Sequence, residues 1–145
     1  MSDKETKIII GSDHAGYKLK EFLKKNLSND NYIIKDIGTF SEESMDYPDI
    51  AHPLAETIAM GEYNLGILVC GSGNGMAMAA NRHKGVRAAV CWNEELTRLA
   101  RQHNNANVLA LPGRFLDFDE AYEMTKVFLN TEFEGGRHER RVNKI

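Results

Sequence analysis

Short aliphatic runs alternate along the chain with longer segments whose apolar residues recur every three to four positions. The first run, 7–10, is Lys-Ile-Ile-Ile and stops at Gly11, which predicts a buried strand. In 16–27, Tyr17, Leu19, Phe22, Leu23 and Leu27 fall at helical spacing with lysines between them. Asn29-Asp-Asn supplies turn chemistry, and 32–37 predicts a second strand ended by Gly38. Residues 40–48 are irregular and acidic. Helical spacing returns over 49–60 through Ile50, Leu54 and Ile58, with Pro53 expected in the first turn and Gly61 as the stop. Run 65–70 is apolar on both faces, the pattern of a central parallel strand. Gly71-Ser-Gly-Asn-Gly leads into a short helix, 76–81, and then a fourth strand, 86–91. Asn93 predicts an N-cap for a helix over 94–102, where Glu94 and Arg98 stand four apart. A fifth strand is expected at 108–111. Asp117 or Asp119 caps a helix that ends near Asn130, and 131–145 reads as a polar tail.

Five β-α units in regular alternation imply a parallel sheet covered on both faces and wound by right-handed crossovers. The expected fold is α/β, a three-layer α/β/α sandwich with a five-stranded parallel sheet, Rossmann-like. Residues 1–145 then form a single domain, as the length of 145 residues favours. Ligands of such folds bind beyond the carboxyl ends of strands. The loops to search are therefore 11–16, 38–48, 70–75, 92–93 and 112–114.

Composition narrows the function classes. Hydrophobic residues make up 42% and charged residues 27% of the chain, a globular balance. A net charge of −3 argues against a nucleic-acid partner. The two cysteines, Cys70 and Cys91, imply no disulfide framework. No apolar run approaches the ~18 residues of a membrane span. The opening Met1-Ser-Asp-Lys-Glu-Thr-Lys lacks the apolar core of a secretory signal. A cytoplasmic location without a membrane partner is the expectation.

The stretch Cys70-Gly-Ser-Gly-Asn-Gly carries the strongest chemical signal. Alternate glycines let backbone approach a ligand closely, and a helix start behind them favours a phosphate or an oxyanion. A dinucleotide fingerprint fails because Met76 stands where the third glycine is needed. Gly11 and Gly16 have the spacing of a P-loop, but Tyr17-Lys18 replaces its Lys-Ser/Thr. A hydrolase elbow fails too, since Cys70 and Asn74 flank Ser72 in place of glycines. A tyrosine-phosphatase loop needs an arginine at Met76. A cysteine facing backbone amides can serve as a proton-accepting thiolate, so Cys70 is read as chemistry, whereas Cys91, inside an apolar strand, is read as core.

Asp13-His14 follows the first strand. Asp13 alone explains a helix cap, yet two ionisable groups there exceed what a cap needs. Tyr47 is a packing or rim residue, and His52 is read as structural or exposed. His103-Asn104 ends the fourth helix, where a histidine either complements the dipole or acts as general acid-base. The tail Arg137-His-Glu-Arg-Arg is either a solvated charge run or an arginine fork for phosphate, with Arg114 converging on the same ligand. No His/Cys/Asp cluster has metal-ligand spacing, and no cofactor motif is present. A thiol, amides, Asp-His, a histidine and arginines suit proton transfer on a small phosphorylated carbonyl compound. An aldose–ketose isomerase needs a base between C1 and C2, donors for the enediolate and an acid-base for ring opening.

Six ordered motifs spread over almost the whole chain sharpen this. They are Gly11-Ser-Asp-His-Ala-Gly, Asp46-Tyr-Pro, Gly66-Ile-Leu-Val-Cys-Gly-Ser-Gly-Asn-Gly, Arg101-Gln-His-Asn, Asn107-Val-Leu-Ala and Glu134-Gly-Gly-Arg-His-Glu-Arg-Arg-Val. With them the chain resembles the type B ribose-5-phosphate isomerases, a group that also holds allose- and galactose-6-phosphate isomerases. The resemblance implies Cys70 as base, Ser72 as the assisting hydroxyl and His103 as the ring-opening residue, with Asp13 holding the sugar opposite it. It implies enediolate contacts from Gly71, Gly73, Asn74 and Gly75. Phosphate contacts would come from His14, Arg114, Arg137 and Arg141, and sugar contacts from Asn104 and Tyr47. Met76 stands where one branch has a glutamate base, so the cysteine branch is implied, with Ser72 in place of its common threonine. Arg141, rather than Arg140, keeps the spacing to Arg137.

The resemblance further implies a homodimer or tetramer with sites shared between subunits, tail 131–145 packing on a partner, and neither cofactor nor metal. The expected reaction interconverts ribose 5-phosphate and ribulose 5-phosphate in the pentose phosphate pathway. The alternatives are an allose- or galactose-6-phosphate isomerase and a non-catalytic sugar-phosphate sensor. His103 favours ribose, and a sensor would need only the phosphate clamp.

Overall fold

A computed structural model of the chain describes residues 6–145. The expectation about a secretory signal falls in part on residues 1–5, which lie outside the described residues. The element order is β1 (Lys7–Ser12), α1 (Tyr17–Asn29), β2 (Ile33–Asp36), α2 (Pro48–Ala59), β3 (Gly66–Cys70), α3 (Asn74–Ala80), β4 (Ala88–Val90), α4 (Glu94–Asn104), β5 (Val108–Pro112), α5 (Phe118–Asn130) and α6 (Arg137–Val142). The five strands form one parallel sheet in the order β2-β1-β3-β5-β4. The expected three-layer α/β/α sandwich is the fold observed.

Side-chain alternation along the strands separates two cores. Ile8, Ile10, Ile67, Val69, Leu109 and Leu111 point to the face covered by α1, α4 and α5, where Leu23, Phe128 and Met124 are fully buried. Ile9, Leu68, Cys70 and Val108 point to the face covered by α2 and α3, against Leu54 and Met76. Cys91 is 2% exposed in the first core, and burial pushes its thiol above the ordinary value, so its reading as core stands.

Several boundaries differ from expectation. Pro48, not Pro53, occupies the first turn of α2, and Pro53 lies inside the helix. Strand β4 is only three residues long; Val86 and Arg87 precede it in a loop where Arg87 N–H donates to Asn107 Oδ1. Asn93 caps α4 as expected, accepting from Leu96 N–H at 2.8 Å. Arg98 pairs with Glu95, three residues back, rather than with Glu94. Within the polar tail, Arg137–Val142 is helical and packs on α4. Its one buried side chain is His138, too sparse an apolar signal to announce a helix. Among the described residues no helix is long and apolar enough to cross a membrane.

Candidate active site

The chain leaves β1 toward β2 on one side, whereas β3 pairs with β1 on the other. This reversal opens a crevice at the carboxyl ends of β1 and β3, and there the Asp13-His14 and Cys70 loops meet. Asp13 N–H donates to Val69 O at 3.1 Å. Gly16 sits against the same strand, and a Cβ there would lie 2.6 Å from Val69 O. Asp13 Oδ1 accepts from Gly16 N–H at 3.0 Å, closing the turn before α1. Gly16, not Asp13, is the N-cap of α1; Asp13, 7% exposed, ties down that turn and lies at the crevice.

Cys70 ends β3 and is 4% exposed. Its sulfur accepts from Gly73 N–H at 3.0 Å. Gly73 has φ +79° and is the N-cap of α3, a conformation glycine adopts without strain. Ser72 is exposed, and its Oγ accepts from Asn74 N–H at 3.2 Å. The loop after β5 is tied alongside: Gly113 N–H donates to Cys70 O at 2.8 Å and Arg114 N–H to Gly71 O at 3.1 Å. A Cβ on Gly71 would stand 3.3 Å from Arg114 Cδ and Nη1, so the guanidinium arm lies over that glycine. The Tyr47 ring covers Gly75 in the same way, with Cε1 and Cζ 2.6 Å from where a Cβ would be. Met76, where the glutamate-base branch carries its base, is wholly buried in the core beneath.

His14 and Arg114 line a common cleft of about 390 Å3 with Lys18, Glu42 and Gly113. His14 Nδ1 accepts from Met45 N–H at 3.2 Å, which leaves Nε2 to carry the ring proton as a donor. Met45 belongs to the acidic loop after β2. That loop is anchored at its start by Asp36, whose Oδ1 accepts from Gly38 N–H at 2.9 Å, and by Gly38 O, which accepts from Ser12 N–H at 2.7 Å. Asp36 Oδ2 holds Lys20 at 2.6 Å and Lys24 at 2.9 Å. Burial pushes the Asp36 carboxyl up, but hydrogen bonds from Lys20, Lys24 and Gly38 outweigh it and hold it below 3.8.

The remaining expected site residues lie elsewhere. Helix α4 starts just past the carboxyl end of β4 and returns antiparallel to the strands. Its eleven residues carry His103 and Asn104 about 16 Å away, to the edge where β5 begins. The His103 ring stacks on His138 of α6, centroids 4.1 Å apart and planes within 9°. Glu134 Oε1 stands 3.8 Å from His103 Nε2 and 3.6 Å from His138 Nε2. The His138 imidazole is held below its ordinary 6.5, by burial first and then by His103 and Arg137. Arg137 and Arg141 are exposed on α6 beside this cluster. The structure thus brings Asp13, His14, Tyr47, Cys70 to Gly75 and Arg114 together. It gathers His103, Asn104, Arg137 and Arg141 at the opposite edge.

No His/Cys/Asp cluster has metal-ligand spacing along the sequence, yet the fold brings three such groups together in space. One ligand atom each from His103, Glu134 and His138 lies within 4.8 Å of the others. Glu134 and His138 are four residues apart, a signal present in the sequence, but their third member is some thirty residues upstream. Met45 and Asp36 were also missed, since they act through backbone and loop anchoring.

Residues 8–145 match the family described as Ribose/Galactose Isomerase. Ribose-5-phosphate isomerase B of Escherichia coli is 41% identical over 139 residues, covering 96% of this chain and 93% of that protein. The probable ribose-5-phosphate isomerase B of Mycoplasma genitalium is 44% identical over 140 residues, covering 95% and 92%. A crystal structure of a ribose 5-phosphate isomerase from Thermotoga maritima superposes with a TM-score of 0.95 at 50% identity, covering 97% of each chain. The Mycoplasma genitalium enzyme with bound ribulose-5-phosphate gives 0.92 at 42% identity, covering 96% of this chain and 93% of that one. With the family matched over nearly its whole length, this chain belongs to the ribose/galactose isomerases.

Proposed function

We propose that this chain interconverts ribose 5-phosphate and ribulose 5-phosphate by proton transfer through an enediolate. The observation that carries the reading is the Cys70 sulfur receiving the Gly73 amide at 3.0 Å, beside the cleft shared by His14 and Arg114. Cys70 takes the C2 proton of the open-chain aldose and returns it to C1, with Ser72 at its side. Amides of residues 71–75 stabilise the enediolate oxygens, which is where preorganised donors contribute most. His14 donates through Nε2 to the phosphate, and Arg114 adds charge. Tyr47 and Asn104 contact the sugar, and Asp13 holds it opposite His103.

The reading requires two copies. His103, Asn104, Arg137 and Arg141 stand at the far edge of their own sheet, so they serve the Cys70 of a second copy. A homodimer, or a tetramer of two such dimers, is the smallest unit with complete sites, and tail 131–145 lies at the shared boundary. The exposed apolar residues Trp92 and Phe115, beside Ser72 and Asn74 in one cleft, supply apolar area for that contact. In this reading the chain works in the pentose phosphate pathway, in the cytoplasm.

The test is turnover of ribose 5-phosphate in the presence of a metal chelator, against allose 6-phosphate and galactose 6-phosphate. The highest kcat/KM is expected with ribose 5-phosphate. Binding without solvent-proton exchange at C2 would instead make it a sensor.

A further inference from the structure

Three groups able to ligate a metal meet at the end of α4, and the isomerase reading uses only one of them. Both imidazole Nε2 atoms face the same oxygen of Glu134, at 3.8 Å and 3.6 Å. Four-coordinate zinc binds nitrogen and oxygen at about 2.0–2.2 Å, which sets ligand–ligand separations near 3.3 Å. The two separations seen here exceed that by roughly half an ångström or less. The His103 and Glu134 side chains are 38% and 50% exposed, free to close the gap. As they close, the ring stack opens, because each nitrogen lone pair lies in its own ring plane. The backbone is already fixed: Glu134 N–H donates to Gln102 O at 3.0 Å and His138 N–H to Gly135 O at 3.1 Å.

We propose that His103, Glu134 and His138 form a site for a divalent transition-metal ion of the zinc class, and that its occupancy inhibits the isomerase. Two imidazoles and one carboxylate are the donor set of an open zinc site, with a position left for water. Magnesium and calcium prefer oxygen shells and do not match it. The cationic Arg137 and Arg141 flank the cluster and moderate the affinity, screened by water at their exposed positions. Inhibition rests on the role proposed above for His103: a ring nitrogen bound to metal no longer exchanges a proton. The binding half stands independently of that role.

The experiment titrates zinc chloride into chelator-stripped protein by calorimetry, with Cys70→Ser as background to remove the thiol as a competing ligand. One zinc per chain is expected in the wild type and in Cys70→Ser, and no heat of binding from magnesium. Glu134→Gln and His138→Gln, each checked for wild-type circular dichroism, should bind at least about tenfold more weakly. In the Cys70-containing background Glu134→Gln should keep metal-free turnover and lose sensitivity to zinc, which EDTA reverses in the wild type. Zinc binding that disappears in Cys70→Ser, or that is unchanged in Glu134→Gln and His138→Gln, would overturn the site. Binding as expected with full activity at saturation would overturn the inhibition. Absence of turnover before zinc is added would count against the isomerase reading and leave the binding result intact.

Discussion

The Cys70 sulfur accepts the Gly73 amide across 3.0 Å, and Gly73 makes that contact from φ +79°. The loop thus aims a backbone donor at the sulfur that the proposed reaction uses as its base. Cys70→Ser should lower kcat by at least about 100-fold while phosphate binding, measured by calorimetry, persists. Gly73→Ala strains the same backbone and should lose activity with the thiol still present. Near-wild-type turnover in Cys70→Ser would remove it as the base.

Tyr47 and Gly75 are packed so closely that no β-carbon fits between them. Gly75→Ala should therefore push the ring aside and lower kcat/KM by about 10–100-fold, the scale of an ångström-level misplacement. Tyr47→Phe keeps the packing and should lose less. Equal kinetics for wild type and Gly75→Ala would show that the ring does not reach the sugar.

Lys20 is fully buried, with its ammonium 2.6 Å from Asp36 and 2.7 Å from Glu21. Removing one partner of a buried pair leaves an uncompensated charge, at a cost of about 3–5 kcal/mol. Glu21 still faces the ammonium at 2.7 Å, so Asp36→Asn should show only part of that loss in urea midpoints at neutral pH. Because the folded carboxyl lies below 3.8, its contribution is full above that value and lost as pH falls through the folded value. The wild type should thus lose stability on acidification where Asp36→Asn is flatter. The variant should also raise KM, since the same carboxylate anchors the loop that bonds His14.

His103 gives a kinetic test that depends on direction. Ribose 5-phosphate enters as a closed ring, whereas ribulose 5-phosphate, with its fifth oxygen phosphorylated, is already open. His103→Ala should make the forward rate cease to rise with enzyme concentration, because spontaneous opening takes over. Deuterium exchange into ribulose 5-phosphate should stay near wild type. Equal losses in both assays would assign His103 to proton transfer or binding instead.

The layers, the parallel sheet and the Cys70 loop were legible because each rests on local pattern. Ile8-Ile-Ile and Leu68-Val-Cys alternate between two covered faces, and the glycines mark their own close approaches. The strand order was not legible, since nothing local tells β5 to insert between β3 and β4. Helix α6 was hidden because its buried contact is a histidine, not an aliphatic side chain. The anchoring of His14 through Met45 was hidden for a different reason: any residue but proline supplies that N–H. Arg101, legible within a motif, turns out to brace the tail, donating from Nε to Thr131 O at 3.0 Å.

The helix length that separates Cys70 from His103 has a genetic consequence. If each chain lends its far edge to a partner, a Cys70 defect and a His103 defect need not fall in the same site. Mixed assemblies would contain one doubly damaged site and one intact one. Two inactive alleles in one cell would then restore about half the activity of each mixed dimer, a complementation that a self-contained barrel or cleft could never show.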